Sequence, residues 1–211
     1  SYVAVVDLNG DAIPDLAVAN SLDNTVSLLK GDGTGSFTAF GSPVSVGRNP
    51  GAIAVGDFDK DGSQDLAVTN SDADTITILR GDGNGGMTRA ETGLTTGAHP
   101  LGISVLDYDN DGNPDLAVAN TNAATVSLFH GNGTGAFTGA ATLSVGSIPA
   151  IIVAGDFNGD GNPDLATANV AGNNVSVLLG DSHGAFAVKS LGAGSQPYAL
   201  AEFDFNGDGF D

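Results

Sequence analysis

The chain has 211 residues, a formal net charge of −19, no Cys, and six Lys and Arg against 25 Asp and Glu. Six scattered cations cannot build a phosphate-tracking surface, so nucleic acid is excluded as a partner class and anionic membranes are disfavoured. Without Cys there is neither disulfide nor thiol chemistry. The length supports a sizeable core, and 41% hydrophobic content with 32 Gly suits short strands and tight turns.

In chain order the first element is a β-branched run, Val3 to Val6, that reads as a buried strand. An oxygen-rich loop follows: Asp7, Asn9, Asp11, Ile13 and Asp15 at alternate positions. Beyond it, Asp15 to Asn20 reads Asp-Leu-Ala-Val-Ala-Asn. Thr25 to Leu29 then alternates polar and apolar and meets the glycine turn Gly31 to Gly35. A weaker fourth strand starts near Phe37, and a linker ends in Pro50.

The same order returns with loops opened by Asp57, Asp107, Asp156 and Asp204, at spacings of 50, 50, 49 and 48 residues. The first strands are then Ile53 to Val55, Ile103 to Leu106 and Ile151 to Ala154. The third strands are Thr75 to Leu79, Thr125 to Phe129 and Val175 to Leu179. Four strands in about 50 residues, repeated without helical periodicity, predict an all-β chain of β-propeller blades, each a four-stranded antiparallel meander. Blades are expected over approximately 1–47, 48–97, 98–146 and 147–195, with a partial fifth over 196–211. An array of four blades and the start of a fifth is expected to be part of a longer propeller.

Each loop predicts a cation site. The expected ligands are Asp7, Asn9, Asp11, Ile13 and Asp15; Asp57, Asp59, Asp61, Ser63 and Asp65; Asp107, Asp109, Asp111, Asn113 and Asp115; Asp156, Asn158, Asp160, Asn162 and Asp164; and Asp204, Asn206 and Asp208 in the truncated fifth loop. Carboxylates and carboxamides at positions 1, 3, 5 and 9, with a backbone carbonyl at position 7, make a hard oxygen shell suited to calcium. Zinc or copper would call for His or Cys, which the loops lack. An EF-hand would need Glu at position 12, where Val18, Val68, Val118 and Thr167 stand. Gly at position 6 permits the sharp turn, and Ala12 replaces it in the first loop. That loop is therefore expected to bind more weakly than the Asp57 and Asp107 loops, which also carry four carboxylates each. The loops account for most of the acidity, and four calcium ions would bring the formal charge from −19 to −11.

These residues resemble the FG-GAP or VCBS repeats of integrin α-subunit propellers and bacterial surface proteins, through D-x-[DN]-x-D-G-x-x-D-L-A-V and the G-x-G-x-F hairpin. The resemblance covers essentially the whole chain. It implies a propeller with a calcium between the first and second strands of each blade.

The three His residues, His99, His130 and His183, fall in unlike positions, and no Ser-His-Asp or Cys-His constellation assembles from their spacing. The expectation is therefore a non-enzymatic, extracellular calcium-binding propeller serving adhesion, scaffolding or partner binding. Its partner would be a protein or glycan recognised at the variable second-to-third turns and linkers. Direct membrane insertion is not expected, for want of a spanning run. Open blade edges allow self-association. The alternatives are an accessory propeller domain of a secreted enzyme, hydrolase or lyase, and a self-assembling surface filament subunit.

Overall fold

The computed structural model describes residues 2–181 and 183–201, and among these there is no helix. The strands form four antiparallel sheets in sequence order. The first holds β1 (Val3–Val6), β2 (Asp15–Asn20), β3 (Thr25–Gly31) and an outer strand split into β4 (Phe37–Ala39) and β5 (Val44–Ser45). The second holds β6 (Pro50–Gly56), β7 (Asp65–Asn70), β8 (Thr75–Gly81) and β9 (Met87–Thr95). The third holds β10 (Pro100–Leu106), β11 (Asp115–Asn120), β12 (Thr125–Gly131) and β13 (Phe137–Ser144). The fourth holds β14 (Pro149–Gly155), β15 (Asp164–Asn169), β16 (Asn174–Gly180) and β17 (Phe186–Gly192). Each sheet is an up-and-down meander, the blade of a propeller.

The registers explain the sequence pattern. Val3 faces Val18 and Val5 faces Leu16, so β-branched and Leu side chains alternate on one face. The other face carries Ala17 and Ala19, both fully buried, whose small side chains let the next blade approach closely. Each apolar cluster therefore lies between blades. Val26 and Leu28 of the first sheet pack with Ile53, Leu66, Val68 and Leu79 of the second. Ile76 and Ile78 pack with Leu116, Val118 and Phe129. Val126 and Leu128 pack with Ile152, Leu165 and Leu178.

The Asn at the end of each second strand, buried in the second, third and fourth blades, is hydrogen-bonded across its own sheet, which offsets lost hydration. Asn70 Nδ2 donates to Thr75 Oγ1 at 3.2 Å and Thr77 Oγ1 at 2.9 Å, and Asn20, Asn120 and Asn169 make equivalent pairs across their own sheets. Blades are also joined by hydrogen bonds. The hydroxyls of Ser21, Ser71 and Thr121 donate to the carbonyls of Pro50, Pro100 and Pro149, which open the following sheets.

Candidate metal centre

The β1–β2 loop and its three counterparts curl tightly around the carboxylate that opens them. Asp7 accepts backbone N–H groups from Gly10 at 2.8 Å and Ala12 at 2.8 Å, and more weakly from Asn9 and Asp11. Asp57, Asp107 and Asp156 accept the N–H groups at positions 5 and 6 of their loops in the same way. Position 6 lies in the left-handed region in all four loops, with φ of 61° at Ala12, 90° at Gly62, 84° at Gly112 and 81° at Gly161. Position 4 is also left-handed, at Gly10, Lys60, Asn110 and Gly159, a second backbone demand that the sequence pattern left unmarked.

The position-5 aspartates accept the N–H of position 7: Ile13 at 2.9 Å, Ser63 at 2.7 Å, Asn113 at 2.8 Å and Asn162 at 2.8 Å. These backbone bonds are the largest influence holding the Asp11, Asp111 and Asp160 carboxyls below the usual range, so these groups stay ionised. The position-7 side chains differ in character, which is immaterial if a carbonyl is the donor there.

The position-9 aspartates are fully buried, and each holds two elements together. Asp15 accepts Leu8 N–H at 3.0 Å on one oxygen and Gly31 N–H at 2.8 Å on the other. Asp65 joins Phe58 to Gly81, Asp115 joins Tyr108 to Gly131, and Asp164 joins Phe157 to Gly180. Here glycine is required on steric grounds, since a Cβ at Gly31, Gly81, Gly131 or Gly180 would strike a loop carbonyl. Burial pushes the Asp115 carboxyl up to about 6 and raises those of Asp65 and Asp164, against the opposing pull of their N–H donors. A cation beside them would favour the ionised form.

Two loops gather carboxylates closely enough for one ion. Oxygens of Asp57, Asp59 and Asp61 lie within 4.8 Å of one another, as do those of Asp107, Asp109 and Asp115. Asp59 Oδ1 is buried without a hydrogen-bond partner, an acceptor that a hard cation would satisfy. The donor set therefore fits calcium. In the first and fourth loops an Asn occupies position 3 and is tied to position 5, with Asn9 Nδ2 and Asn158 Nδ2 each 3.0 Å from an oxygen of Asp11 and Asp160. The fifth loop, with Asp204, Asn206 and Asp208, lies outside the described residues.

In the first three blades the residue before the steric glycine reaches back over the loop; of these, sequence reasoning named His130 but not its partners, and did not name Lys30 or Arg80. Lys30 Nζ is 3.1 Å from Asp11, and Arg80 Nε is 3.7 Å from Asp59. His130 Nδ1 is 3.1 Å from Asp109 and 3.5 Å from Asp115, with Nε2 3.7 Å from Asp111. Leu179 stands there in the fourth blade. The signal lay in the residue before each glycine turn, but only strand register reveals the convergence.

Several solved structures share this fold. A candidate 6-phosphogluconolactonase from Bacteroides uniformis superposes with a TM-score of 0.72 at 16% identity, over 96% of this chain and 60% of its own. The periplasmic gluconolactonase of Pseudomonas aeruginosa gives 0.68 at 20% identity, over 91% and 54%. BBS1N, in complex with ARL6DN, gives 0.64 at 18% identity, over 96% and 59%. The chain thus spans less than two-thirds of each of these neighbours. No curated protein matches it in sequence.

These neighbours correct one expectation. A non-enzymatic propeller for adhesion or scaffolding was inferred because no triad assembles from sequence spacing, yet proteins named as lactonases have this architecture. Spacing along the sequence could not decide the matter, because a fold can bring groups together from separate elements, as it does His130 and Asp109. The FG-GAP-like repeat profile matches residues 7–68, 57–118, 107–167 and 156–211, each segment running from one acidic loop through the next. With the acidic loops, the four meanders and this coverage in agreement, the chain belongs to the FG-GAP-like repeat family.

Proposed function

We propose that this chain is a calcium-loaded propeller segment of a secreted enzyme of the hydrolase class. The observation that carries the calcium part is the Asp57–Asp65 loop, where three carboxylates converge and Asp59 Oδ1 is buried without a partner. Asp57, Asp59, Asp61 and Asp65, with the Ser63 carbonyl, would hold the ion, and the corresponding residues of the other loops would do the same. Bound calcium supplies the positive charge that offsets the mutual repulsion of these oxygens. The chain's own contribution is a preformed curl: Asp57 binds the loop N–H groups, and Asp65 ties the loop to the end of β8. Extracellular modules of this kind bind calcium with dissociation constants of roughly 10⁻⁴ to 10⁻³ M, which supports a place outside the cytosol.

The hydrolase part is supported by the lactonase neighbours, at the level of fold alone. The full-length protein should release acid from an aldonic-acid δ-lactone faster than buffer does, as followed in a pH-stat with calcium present. A rate equal to buffer alone, in protein whose calcium loading has been verified by titration, would overturn the enzymatic part and leave the metal assignment standing. A protein ligand is the second reading, favoured by the neighbour held in complex with another protein.

A further inference from the structure

The four loops differ in what the third strand of their blade presents to them. The residue before the steric glycine is Lys30, Arg80, His130 or Leu179. An ammonium and a guanidinium offer no lone pair to a metal, and an alkyl side chain has none. Of the four, only His130 brings a nitrogen that can ligate an ion, and it brings it to a loop whose own residues offer oxygen alone.

The fold fixes where that ring sits. Asp115 Oδ1 accepts the Gly131 N–H at 2.7 Å, so the end of β12 that carries His130 is tied to the buried carboxylate of the loop. The ring of Tyr108 meets the imidazole edge-on, with centroids 6.5 Å apart. So placed, Nδ1 lies 3.1 Å from Asp109 Oδ2 and 3.5 Å from Asp115 Oδ1, while Nε2 lies 3.7 Å from Asp111 Oδ2. Asp109 Oδ1 accepts the Asp111 N–H at 3.2 Å and Asp111 Oδ1 accepts the Asn113 N–H at 2.8 Å, which turns both Oδ2 atoms toward the ring. This cluster is interior to the array: the fourth blade's glycine turn lies against it, where a Cβ at Gly184 would strike Tyr108.

Nδ1 is the atom that points to a ligand. It is shut off from solvent and makes no hydrogen bond, although a carboxylate oxygen stands 3.1 Å away. Two atoms bound to one ion at roughly 2.0–2.2 Å are held about 3 Å apart, which is the separation of Nδ1 from Asp109. Ligand atoms of Asp109, Asp111 and His130 all lie within 4.8 Å of one another. Calcium takes oxygen ligands, whereas imidazole suits zinc and its first-row neighbours.

We propose that Asp109, Asp111 and His130 form a site for a divalent first-row transition metal ion, zinc among them, which displaces calcium from the third loop. The inference shares two carboxylates with the calcium reading of that loop and is independent of the hydrolase reading.

Cobalt(II) is the probe, because its visible d–d absorption reports nitrogen and oxygen coordination. Metal-free protein is titrated with Co²⁺ in millimolar calcium. The wild type is expected to develop visible bands that saturate at a single equivalent and that Zn²⁺ abolishes. His130→Leu installs the side chain found at that register in the fourth blade, and it should bind cobalt at least about tenfold more weakly. If that variant alters the circular dichroism, His130→Lys, with the residue of the first blade, replaces it. A wild type without visible bands, bands that millimolar calcium suppresses, or cobalt affinity unchanged in the His130 variant would each overturn the proposal. Calcium alone is titrated into both proteins in parallel, so failure of the calcium reading shows separately, as no calcium uptake by either protein while the cobalt bands persist.

Discussion

At Ala12 a single backbone angle separates the first loop from the other three. Its φ of 61° places an L side chain where the other three loops have Gly. The left-handed conformation costs about 1–2 kcal/mol for such a residue. Ala12→Gly removes that cost but adds about 0.4–1 kcal/mol of unfolded-chain entropy, leaving a net gain between about zero and 1.6 kcal/mol. For a chain of this size each kcal/mol corresponds to a rise in melting temperature of about 2–4 °C, so the rise should not exceed about 6 °C. A calorimetric scan of Ala12→Gly should show the rise together with tighter calcium binding at the first loop. A fall in melting temperature would mean that the turn is not strained at that position. Residue identity at positions 1, 3, 5 and 9 was legible in the sequence because alternate oxygens are a local pattern. The hydrogen bonds by which the position-9 aspartates tie the loop to the end of the third strand were not. Asp15 reaches Gly31, 16 residues on, and only the pairing of β2 with β3 brings them together.

At the scale of elements, the strands were legible because β-branched residues, alternation and glycine turns recur in phase, and all four meanders form where the pattern places them. The broken outer strand of the first blade was not foreseen: Phe37–Ala39 and Val44–Ser45 are separated by a stretch containing Gly41 and Pro43, where the ladder cannot continue. The first two acidic loops also hold the next blade's glycine turn. Gly85 N–H donates to the Leu8 carbonyl at 3.1 Å, and Gly135 N–H donates to the Phe58 carbonyl at 2.8 Å. Leu8 and Phe58 are position 2 of their loops, fixed by Asp15 and Asp65. Ordering a loop with calcium should therefore slow amide exchange at a turn in the following blade. Hydrogen exchange at Gly85 and Gly135, read with calcium and with chelator, is expected to be slower with calcium at both amides. Equal rates in the two conditions would show that loop and turn are uncoupled.

For the whole molecule, charge and metal are linked. The formal charge of −19 is concentrated in loops where carboxylates oppose one another, so folding and cation binding should reinforce each other. Function was the least legible level, because what a propeller does depends on its sites and not on its fold. The most direct measurement is a calorimetric titration of calcium into metal-free wild-type protein and into Asp59→Ala. The account predicts saturable binding at the acidic loops of the wild type, the loss of one of the tighter sites in Asp59→Ala, and a lowered melting temperature in that variant even with calcium present. Wild-type protein that takes up no calcium at millimolar concentration, or an Asp59→Ala isotherm superimposable on the wild type, would contradict it.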